Sequence, residues 1–340
     1  ESDGRSAASG WSGADEVPGP ADGLTVSMSA TVTYSGDAEA TVTELAPPHK
    51  IMTGSDGRVG TAPSSRQGGD GRIRFEVVCK DLAVIPFSDL TIGPLLGQGG
   101  CGTVYKATWQ HAPVAVKFLS KAHSVSVIQQ FLAEISILSE KRHPNIVYYI
   151  GMCPEEEHVA LITEFMPGGD LATLIHSSGL YLDLSHRIQL LMDVARALAY
   201  LHADEKPHRD IKPANILLSQ DYSMAKLGDM GLTGAKTGKY AGFGTRLYMA
   251  PEVQARTSAK VDIYSLGVIF FECLHPFATA SERIYVLDDL RKQIVPKTLE
   301  AMYPAEVKLI REMLAFNPAE RPRARDLLEH GIFDLLNEKE

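Results

Sequence analysis

Cysteines and long hydrophobic runs are scarce in this sequence. Its 340 residues include four cysteines, Cys79, Cys101, Cys153 and Cys273, which are far apart and lack CxxC spacing. This pattern fits neither a zinc site nor a dense disulfide scaffold, so we expect reduced thiols and a cytoplasmic location. No stretch approaches the roughly 18 consecutive apolar residues of a membrane span, so no span is predicted.

An excess of positive charge is also missing. The chain has 33 Lys and Arg against 42 Asp and Glu, a formal net charge of -9. Nucleic acids and anionic membranes attract an excess of Lys and Arg, so neither is predicted as a partner. The chain opens on Glu1 rather than Met, which leaves an upstream segment open.

Residues 1–81 are rich in Gly, Ser, Ala, Thr and Pro. Such a segment buries too little apolar surface to offset its chain entropy, so most of it is predicted to be disordered. Residues 24–34 are an exception, because apolar and polar side chains alternate there as in a β-strand. Residues 35–37 are a predicted turn, and residues 41–43 are a candidate partner strand.

Residues 208–215 hold a dense group of polar side chains, and Asp229 follows a short way downstream. Two apolar runs, at 216–218 and 225–227, lie between them and are typical of short strands. Because such strands would hold both polar groups at one edge, we expect the side chains to lie close together.

These side chains suit phosphoryl transfer, which needs a proton acceptor, magnesium ligands and cations around the phosphates. Asp210 suits the first role, Asn215 and Asp229 the second, and Lys212 the third. The ordered set resembles the catalytic loop and metal-binding motif of eukaryotic protein kinases. The resemblance implies ATP and Mg²⁺ as cofactors, with Asp210 and Lys212 as catalytic residues.

Gly97, Gly99 and Gly102 form a G-x-G-x-x-G pattern. The dinucleotide-binding turn shares this pattern but must open a helix. Residues 103–109 alternate and are β-branched instead, so the glycines are predicted to join two strands. This is similar to the kinase loop over the ATP phosphates, where backbone N–H groups approach closely. A simple glycine hairpin is the alternative.

Lys117 interrupts the apolar strand pattern of residues 114–117, and lysine is rarely buried without a partner. Glu134 lies on the apolar stripe of a helix predicted at 124–141 and could supply that partner. In kinases such a pair orients the lysine onto the α- and β-phosphates. The alternative is a solvent-facing Glu134 beside an unrelated lysine.

The resemblance covers residues 82–336 and implies an α+β, bilobal protein kinase fold. A five-stranded antiparallel sheet with one helix would form the N-lobe (about 82–163). A hinge (164–169) would lead to a mostly helical C-lobe (170–336), whose core would include a helix at 183–203.

The hinge backbone amides from Glu164 to Met166 would bind the adenine edge, and Thr163 would guard the pocket behind it. An ordinary strand threonine is the alternative for Thr163. The residues that the resemblance assigns to the nucleotide are Gly97, Gly99, Gly102, Val104, Ala115, Lys117, Thr163, Glu164, Met166, Asn215 and Asp229. The catalytic residues that it implies are Asp210, Lys212, Lys117 and Glu134.

Two departures from the family pattern are visible. Lys206 and Pro207 replace two apolar residues, which predicts an altered local strand. Met230 replaces the usual Phe, which predicts a looser preference between active and inactive arrangements.

Other family positions are structural or regulatory. Asp262 is predicted to be a buried acid that holds catalytic-loop amides, and Arg321 is predicted to pair with Glu252. Thr237 and Tyr240 are candidate phosphorylation sites.

Two subfamily resemblances conflict. Residues 97–109 and 143–176 resemble tyrosine-kinase-like serine/threonine kinases. Residues 244–254 and 279–291 are similar to kinases of the translation initiation factor 2 α-subunit, in which the second stretch helps to dock the substrate. The N-lobe insertion common in that family is missing, and a plain amphipathic surface helix at 281–292 is the alternative.

The predicted function is a magnesium- and ATP-dependent protein serine/threonine kinase in signal transduction. Its substrate would be a protein hydroxyl, with the initiation-factor α-subunit as a candidate partner. One alternative is a pseudokinase that acts as a nucleotide-binding or scaffolding module, which Met230 and the Lys206–Pro207 pair favour. A small-molecule kinase is disfavoured, because residues 244–252 resemble a peptide platform.

Overall fold

The computed structural model describes most of the chain after residue 82 and three short strands before it. The described residues are 29–34, 38–42, 72–76, 83–99, 102–119, 125–155, 158–177, 179–180, 182–232, 246–252 and 258–332. The candidate phosphorylation sites Thr237 and Tyr240 lie outside these residues, as do Cys79 and Cys101.

Three strands precede the kinase-like region: β1 (Ser29–Tyr34), β2 (Ala38–Val42) and β3 (Arg72–Glu76). They form one antiparallel sheet in the order β2-β1-β3. The strand predicted at 24–34 is present as β1 and pairs with β2, which overlaps the predicted partner at 41–43, with Tyr34 opposite Ala38. The predicted turn at 35–37 lies outside the described residues. The third strand was not predicted.

A second sheet has five strands and confirms the predicted antiparallel N-lobe sheet. Its strands are β4 (Leu90–Gly99), β5 (Gly102–Trp109), β6 (Ala112–Phe118), β7 (Tyr149–Cys153) and β8 (Ala160–Glu164). Their order is β4-β5-β6-β8-β7, and every neighbouring pair is antiparallel. Helix α1 (Val125–Glu140) connects β6 to β7.

Residues 143–147 lie between α1 and β7, which begins at Tyr149, and do not join the five-stranded sheet. The backbone of this segment bonds to the other lobe instead. The Leu227 N–H donates to the Asn145 carbonyl at 2.8 Å, and the Val147 N–H donates to the Leu227 carbonyl at 3.0 Å. The segment therefore fixes the end of α1 to the strand that leads to Asp229.

The rest of the described chain is mostly helical, as predicted. Its helices are α2 (Leu171–His176), α3 (Leu184–Ala203), α4 (Lys260–Leu274), α5 (Ala280–Arg291), α6 (Lys297–Met302), α7 (Pro304–Met313) and α8 (Ala324–Leu328). Two short strands, β9 (Ile216–Leu218) and β10 (Ala225–Leu227), pair antiparallel as expected. No helix in the described ranges is long and apolar enough to span a membrane.

Helix α3 begins where its sequence predicts. The Asp183 carboxylate caps it by accepting from the His186 N–H at 2.9 Å. Its apolar stripe is buried: Ile188, Leu191, Val194, Ala195, Leu198 and Leu201. Helix α4 is apolar on every side and buried along almost its whole length, so it forms the centre of the helical lobe.

Candidate active site

The hairpin of β9 and β10 brings the two predicted polar groups to one edge. Ile216 lies opposite Leu227, so Asn215 and Gly228 are neighbours just beyond the paired residues. The Gly228 N–H donates to the Asn215 carbonyl at 2.9 Å. Asp229 follows with a φ of 54°, a left-handed conformation that is uncommon for a residue with a side chain.

Asp210 has one carboxylate oxygen held and the other free. Its Oδ2 accepts from Lys212 Nζ at 2.5 Å and from Asn215 Nδ2 at 3.1 Å. The same Asn215 Nδ2 donates to the Asp210 carbonyl at 2.8 Å. Asp210 Oδ1 is buried and has no hydrogen-bond partner among the described residues. A buried, unpaired carboxylate oxygen costs free energy, and this one is available to accept a hydrogen bond from a ligand.

Asp262 holds the backbone of this loop, as predicted. It is fully buried, and its two oxygens accept from the His208 N–H at 2.8 Å and the Arg209 N–H at 2.7 Å. His202 Nε2 lies 2.8 Å from Asp262 Oδ2. Burial raises the pKa of Asp262, but the hydrogen bond from His202 and the backbone bonds outweigh it, so the pKa stays below its ordinary value.

His208 acts as a scaffold in this arrangement. Its Nε2 lies 3.0 Å from the Gly228 carbonyl, and the Asp210 N–H points at its Nδ1 from 3.3 Å. Because a carbonyl only accepts, the geometry requires the proton on Nε2 and a lone pair on Nδ1. The neutral ring therefore links the Asp210 backbone to the turn before Asp229.

Lys117 joins the two halves of the site. From β6, its Nζ lies 2.6 Å from Glu134 Oε2 on α1 and 3.2 Å from Asp229 Oδ1. Burial raises the pKa of Glu134 to about 7, although Lys117 opposes this. Burial also raises the pKa of Asp229, but Lys117 and Lys212 outweigh it and hold the pKa below its ordinary value. The pKa values of the two carboxylates that contact the Lys117 ammonium are thus shifted in opposite directions.

Four residues assigned to the nucleotide share one face of the sheet. Cross-strand partners lie on the same face, and the pairs Val104–Lys117 and Ala115–Thr163 are opposite each other. Ala115 and Lys117 are two residues apart on β6, so both pairs share that face. The opposite face is packed with the buried residues Val114, Val116 and Ile162.

The three glycines of the loop differ in how strictly the packing around them requires glycine. Gly99 pairs with Gly102 where β4 meets β5. A Cβ at Gly102 would lie 2.1 Å from the Phe118 carbonyl oxygen, so the backbone packing itself requires glycine there. Among the described residues, a Cβ at Gly97 or Gly99 would meet nothing within 4 Å. Their predicted role at the phosphates therefore has no competing packing explanation.

The hinge prediction is corrected at Glu164. Its N–H already donates to the Tyr148 carbonyl at 3.0 Å, within the sheet, so it is not available to a ligand. Its carboxylate accepts from Lys226 Nζ at 2.7 Å and from the Tyr148 N–H at 2.7 Å. In the described part of the chain the N–H groups of Phe165 and Met166 form no such bond, so these two stay the predicted hinge donors.

The structure also resolves the two departures from the family pattern. Met230 is fully buried in the main apolar cluster, which fits an apolar side chain in that pocket. The altered strand predicted at Lys206 and Pro207 is wrong, because residues 204–212 form no strand. The two residues follow the end of α3 directly.

A polar cluster behind the segment 246–252 was not predicted. Tyr248 Oη donates to Glu272 Oε2 at 2.7 Å, and Arg283 Nε donates to Glu272 Oε1 at 2.5 Å. Burial and the Glu272 carboxylate raise the pKa of Tyr248. The available sequence signal was the carboxylate of Glu272 near the end of the largely apolar helix α4. The segment also carries Glu252, which forms the predicted ion pair with Arg321 through two hydrogen bonds of 2.6 and 2.9 Å.

The oxygen donors of the site suit Mg²⁺. Because Asn215 uses its Nδ2 towards Asp210, its side-chain oxygen faces away from that bond and can bind a cation together with the Asp229 carboxylate. Mg²⁺ prefers oxygen ligands and commonly takes one or two from protein and the rest from phosphates and water. The described residues contain no group of three His, Cys, Asp or Glu that could hold a metal without such phosphates.

Comparison with known proteins agrees with this geometry. The protein kinase domain family model matches residues 90–333, and the chain belongs to that family.

The chain is similar to several curated relatives. It is 31% identical over 265 residues to "Probable serine/threonine-protein kinase drkA" of Dictyostelium discoideum, covering 74% of this chain and 40% of the relative. It is 37% identical over 199 residues to "Serine/threonine-protein kinase CTR1" of Arabidopsis thaliana, covering 55% and 24%. The chain therefore spans less than half the length of these relatives.

Proposed function

We propose that this chain is a magnesium- and ATP-dependent protein serine/threonine kinase. The observation that carries the proposal is the free, buried Oδ1 of Asp210 beside the Lys212 ammonium. A carboxylate fixed through one oxygen can accept the proton of an incoming hydroxyl with the other. Similarity to relatives named as serine/threonine-protein kinases supports the acceptor class.

The remaining residues serve the phosphates in this proposal. Magnesium, when bound with ATP, supplies charge neutralisation between the phosphates. Asn215 and Asp229 would hold it through their side-chain oxygens. Lys117, oriented by Glu134, offers a cation at the same edge, and Lys212 offers a second one near Asp210.

A radiolabel assay with γ-³²P-ATP and generic protein substrates tests the proposal. The wild-type chain should transfer phosphate to Ser and Thr only when magnesium is present. Asp210→Asn should lower the rate by about a thousandfold or more, because it removes the proton acceptor while keeping the size of the side chain. Asp289→Asn, at an exposed carboxylate on α5 outside the proposed machinery, is the matched control. Equal transfer by wild type and Asp210→Asn would refute the proposal.

The finer predictions stay proposals. The printed names of the relatives give no substrate, so a screen that includes the initiation-factor α-subunit decides whether it is phosphorylated. A signalling role and a cytoplasmic location remain predictions of the sequence. The pseudokinase alternative, a nucleotide-binding or scaffolding module, predicts no phosphate transfer in the same assay. A thermal shift by ATP then separates a nucleotide-binding module from a scaffolding one.

A further inference from the structure

Helices α1 and α3 both end on acidic residues. Glu140 is the last residue of α1, and Asp204 is the C-cap of α3. The C-terminus of a helix carries a partial negative charge, so a carboxylate is unfavourable there and a cation is favourable. Each end therefore requires compensation from elsewhere.

Each helix end receives a lysine from beside the other. Lys141, directly after α1, forms an ion pair with Asp204 at the end of α3. Lys206, shortly after α3, places its Nζ 3.6 Å from Glu140 Oε2 at the end of α1. We call these four residues the cross-helix joint. The two ion pairs are reciprocal, so each lobe supplies one cation and one carboxylate.

One side of the joint is well packed. The Lys141 side chain is only 11% exposed, and its Nζ lies 5.6 Å from the centre of the Tyr200 ring on α3. His143 stacks on the same ring, with centroids 5.1 Å apart. The end of α1 therefore contacts α3 through rings as well as through charges.

The backbone directs Lys206 towards this contact. Glu205 has a φ of 56°, and its N–H donates to the His202 carbonyl at 3.1 Å. The Lys206 N–H donates to the Leu201 carbonyl at 3.2 Å. This pair of bonds is the Schellman arrangement, and a proline soon afterwards, here Pro207, is common. The departure at Lys206 and Pro207 thus has a structural explanation: it ends α3 and directs an ammonium at α1.

The joint is on the helix that carries Glu134. Glu134 lies six residues before Glu140, about 9 Å along the axis of α1. A shift or tilt of the helix end would therefore move the Glu134 carboxylate relative to Lys117, on a different element. A hydrogen bond of 2.6 Å tolerates little such movement.

We propose that the cross-helix joint positions α1 and so keeps Glu134 in contact with Lys117. Its members are positioning residues and do not touch the nucleotide. The link from this contact to ATP rests on the proposed function. Because the second pair, Lys206–Glu140, is about one-third exposed on both sides, its contribution is sensitive to salt and moderate in size.

Charge reversal tests the joint on the full 340-residue chain. Binding of a fluorescent ATP analogue with magnesium is titrated for Lys206→Glu, Glu140→Lys and the double variant. Each single reversal should weaken binding roughly threefold, and the double variant, which restores opposite charges, should bind within about 1.5-fold of wild type. Wild-type binding by both single variants, or a double variant as weak as both losses combined, would overturn the proposal.

The same charge reversal in a variant that lacks the Glu134 carboxylate shows whether the joint acts by positioning Glu134 or has only a general structural role. In Glu134→Gln the carboxylate on which the joint acts is gone, so adding Lys206→Glu should leave binding unchanged. A further threefold loss in that background would contradict action through Glu134.

The exposed pair Asp288–Lys292 on α5 provides a matched control, and Lys292→Glu should not alter binding.

Binding by the wild-type chain without any phosphate transfer would refute the proposed function but leave the joint testable by the same titrations. Transfer by the wild type with no effect of the single reversals would refute the joint alone.

Discussion

The two halves of the site are held together in different ways. In the C-terminal half, the loop around Asp210 is tied to Asp262 and His208 by hydrogen bonds from its own backbone. In the N-terminal half, Lys117 and Glu134 come from a strand and a helix and meet through one side-chain ion pair. Backbone bonds to a buried acid break only when the loop unfolds. A single ion pair between two elements can open while both elements stay folded.

This difference predicts a division of roles, in which substitutions in the two halves affect stability and function differently. The C-terminal half is assembled by folding, so its parts contribute to stability and to chemistry together. In the N-terminal half, the contact between Lys117 and Glu134 depends on the position of α1. Substitutions there should therefore affect function more than stability. Four substitutions or conditions test this division.

Asp262→Ala should produce the largest effect, in the C-terminal half. It leaves the buried N–H groups of His208 and Arg209 without an acceptor, so the free energy of unfolding should fall by about 3–5 kcal/mol. Urea denaturation followed by circular dichroism measures the change, with the exposed Asp289→Ala as control. A loss below about 1 kcal/mol would show that the loop is not held by this acid.

Glu134→Gln should separate function from stability in the N-terminal half. Burial already disfavours the charged form of this carboxylate, and Lys117 keeps Asp229 as a second partner. The free energy of unfolding should therefore change by no more than about 1 kcal/mol. Without the ion pair Lys117 is no longer oriented, and kcat/KM should fall about 10- to 100-fold. Parallel urea denaturation and steady-state kinetics measure both quantities. A large stability loss with little kinetic change would reverse the comparison.

The pH dependence of activity should also arise in the N-terminal half. The pKa of Glu134 is raised to about 7, so the carboxyl is mostly protonated below pH 7 and ionised above it. Only the ionised form makes the full ion pair, so kcat/KM should rise about tenfold between pH 6 and pH 8. Glu134→Gln should lack this rise. A pH profile shared by both proteins would assign the titration to another group.

Glu205→Gly should give the smallest effect, on the C-terminal side. The left-handed φ of 56° is unfavourable for glutamate and free of strain for glycine, so stability should rise by about 0.5–1 kcal/mol. Thermal unfolding measures the gain. Because the backbone bonds at the end of α3 are kept, nucleotide binding should stay within about twofold of wild type. A loss of stability would show that the glutamate side chain matters more than the backbone.

Local patterns predicted the elements well. The apolar run at 216–218 and the apolar stripe of α3 appear as a strand and a helix at the expected places. The position of Glu134 on the apolar stripe of α1 indicated its partner correctly in space, with Lys117 at 2.6 Å. These inferences need only the period of a strand or helix and the cost of a buried charge.

Contacts between distant surfaces were not predictable in this way. Glu164 and Lys226 are 62 residues apart, and their ion pair depends on how the lobes pack. The sequence showed Lys206 as a departure from the family pattern but did not predict its partner. Glu140 is brought near Lys206 by the angle between α1 and α3. No period in the sequence encodes that angle. The free N–H at the hinge was misassigned for the same reason, since the bond from Glu164 to Tyr148 depends on the register of neighbouring strands.

Hydrogen exchange with and without magnesium-ATP tests the central comparison most directly. The amides of residues 208–216 should be protected before nucleotide is added and change by less than about twofold, whereas those of α1 should slow about tenfold on binding. Slowing confined to residues 208–216, with α1 unchanged, would contradict the account.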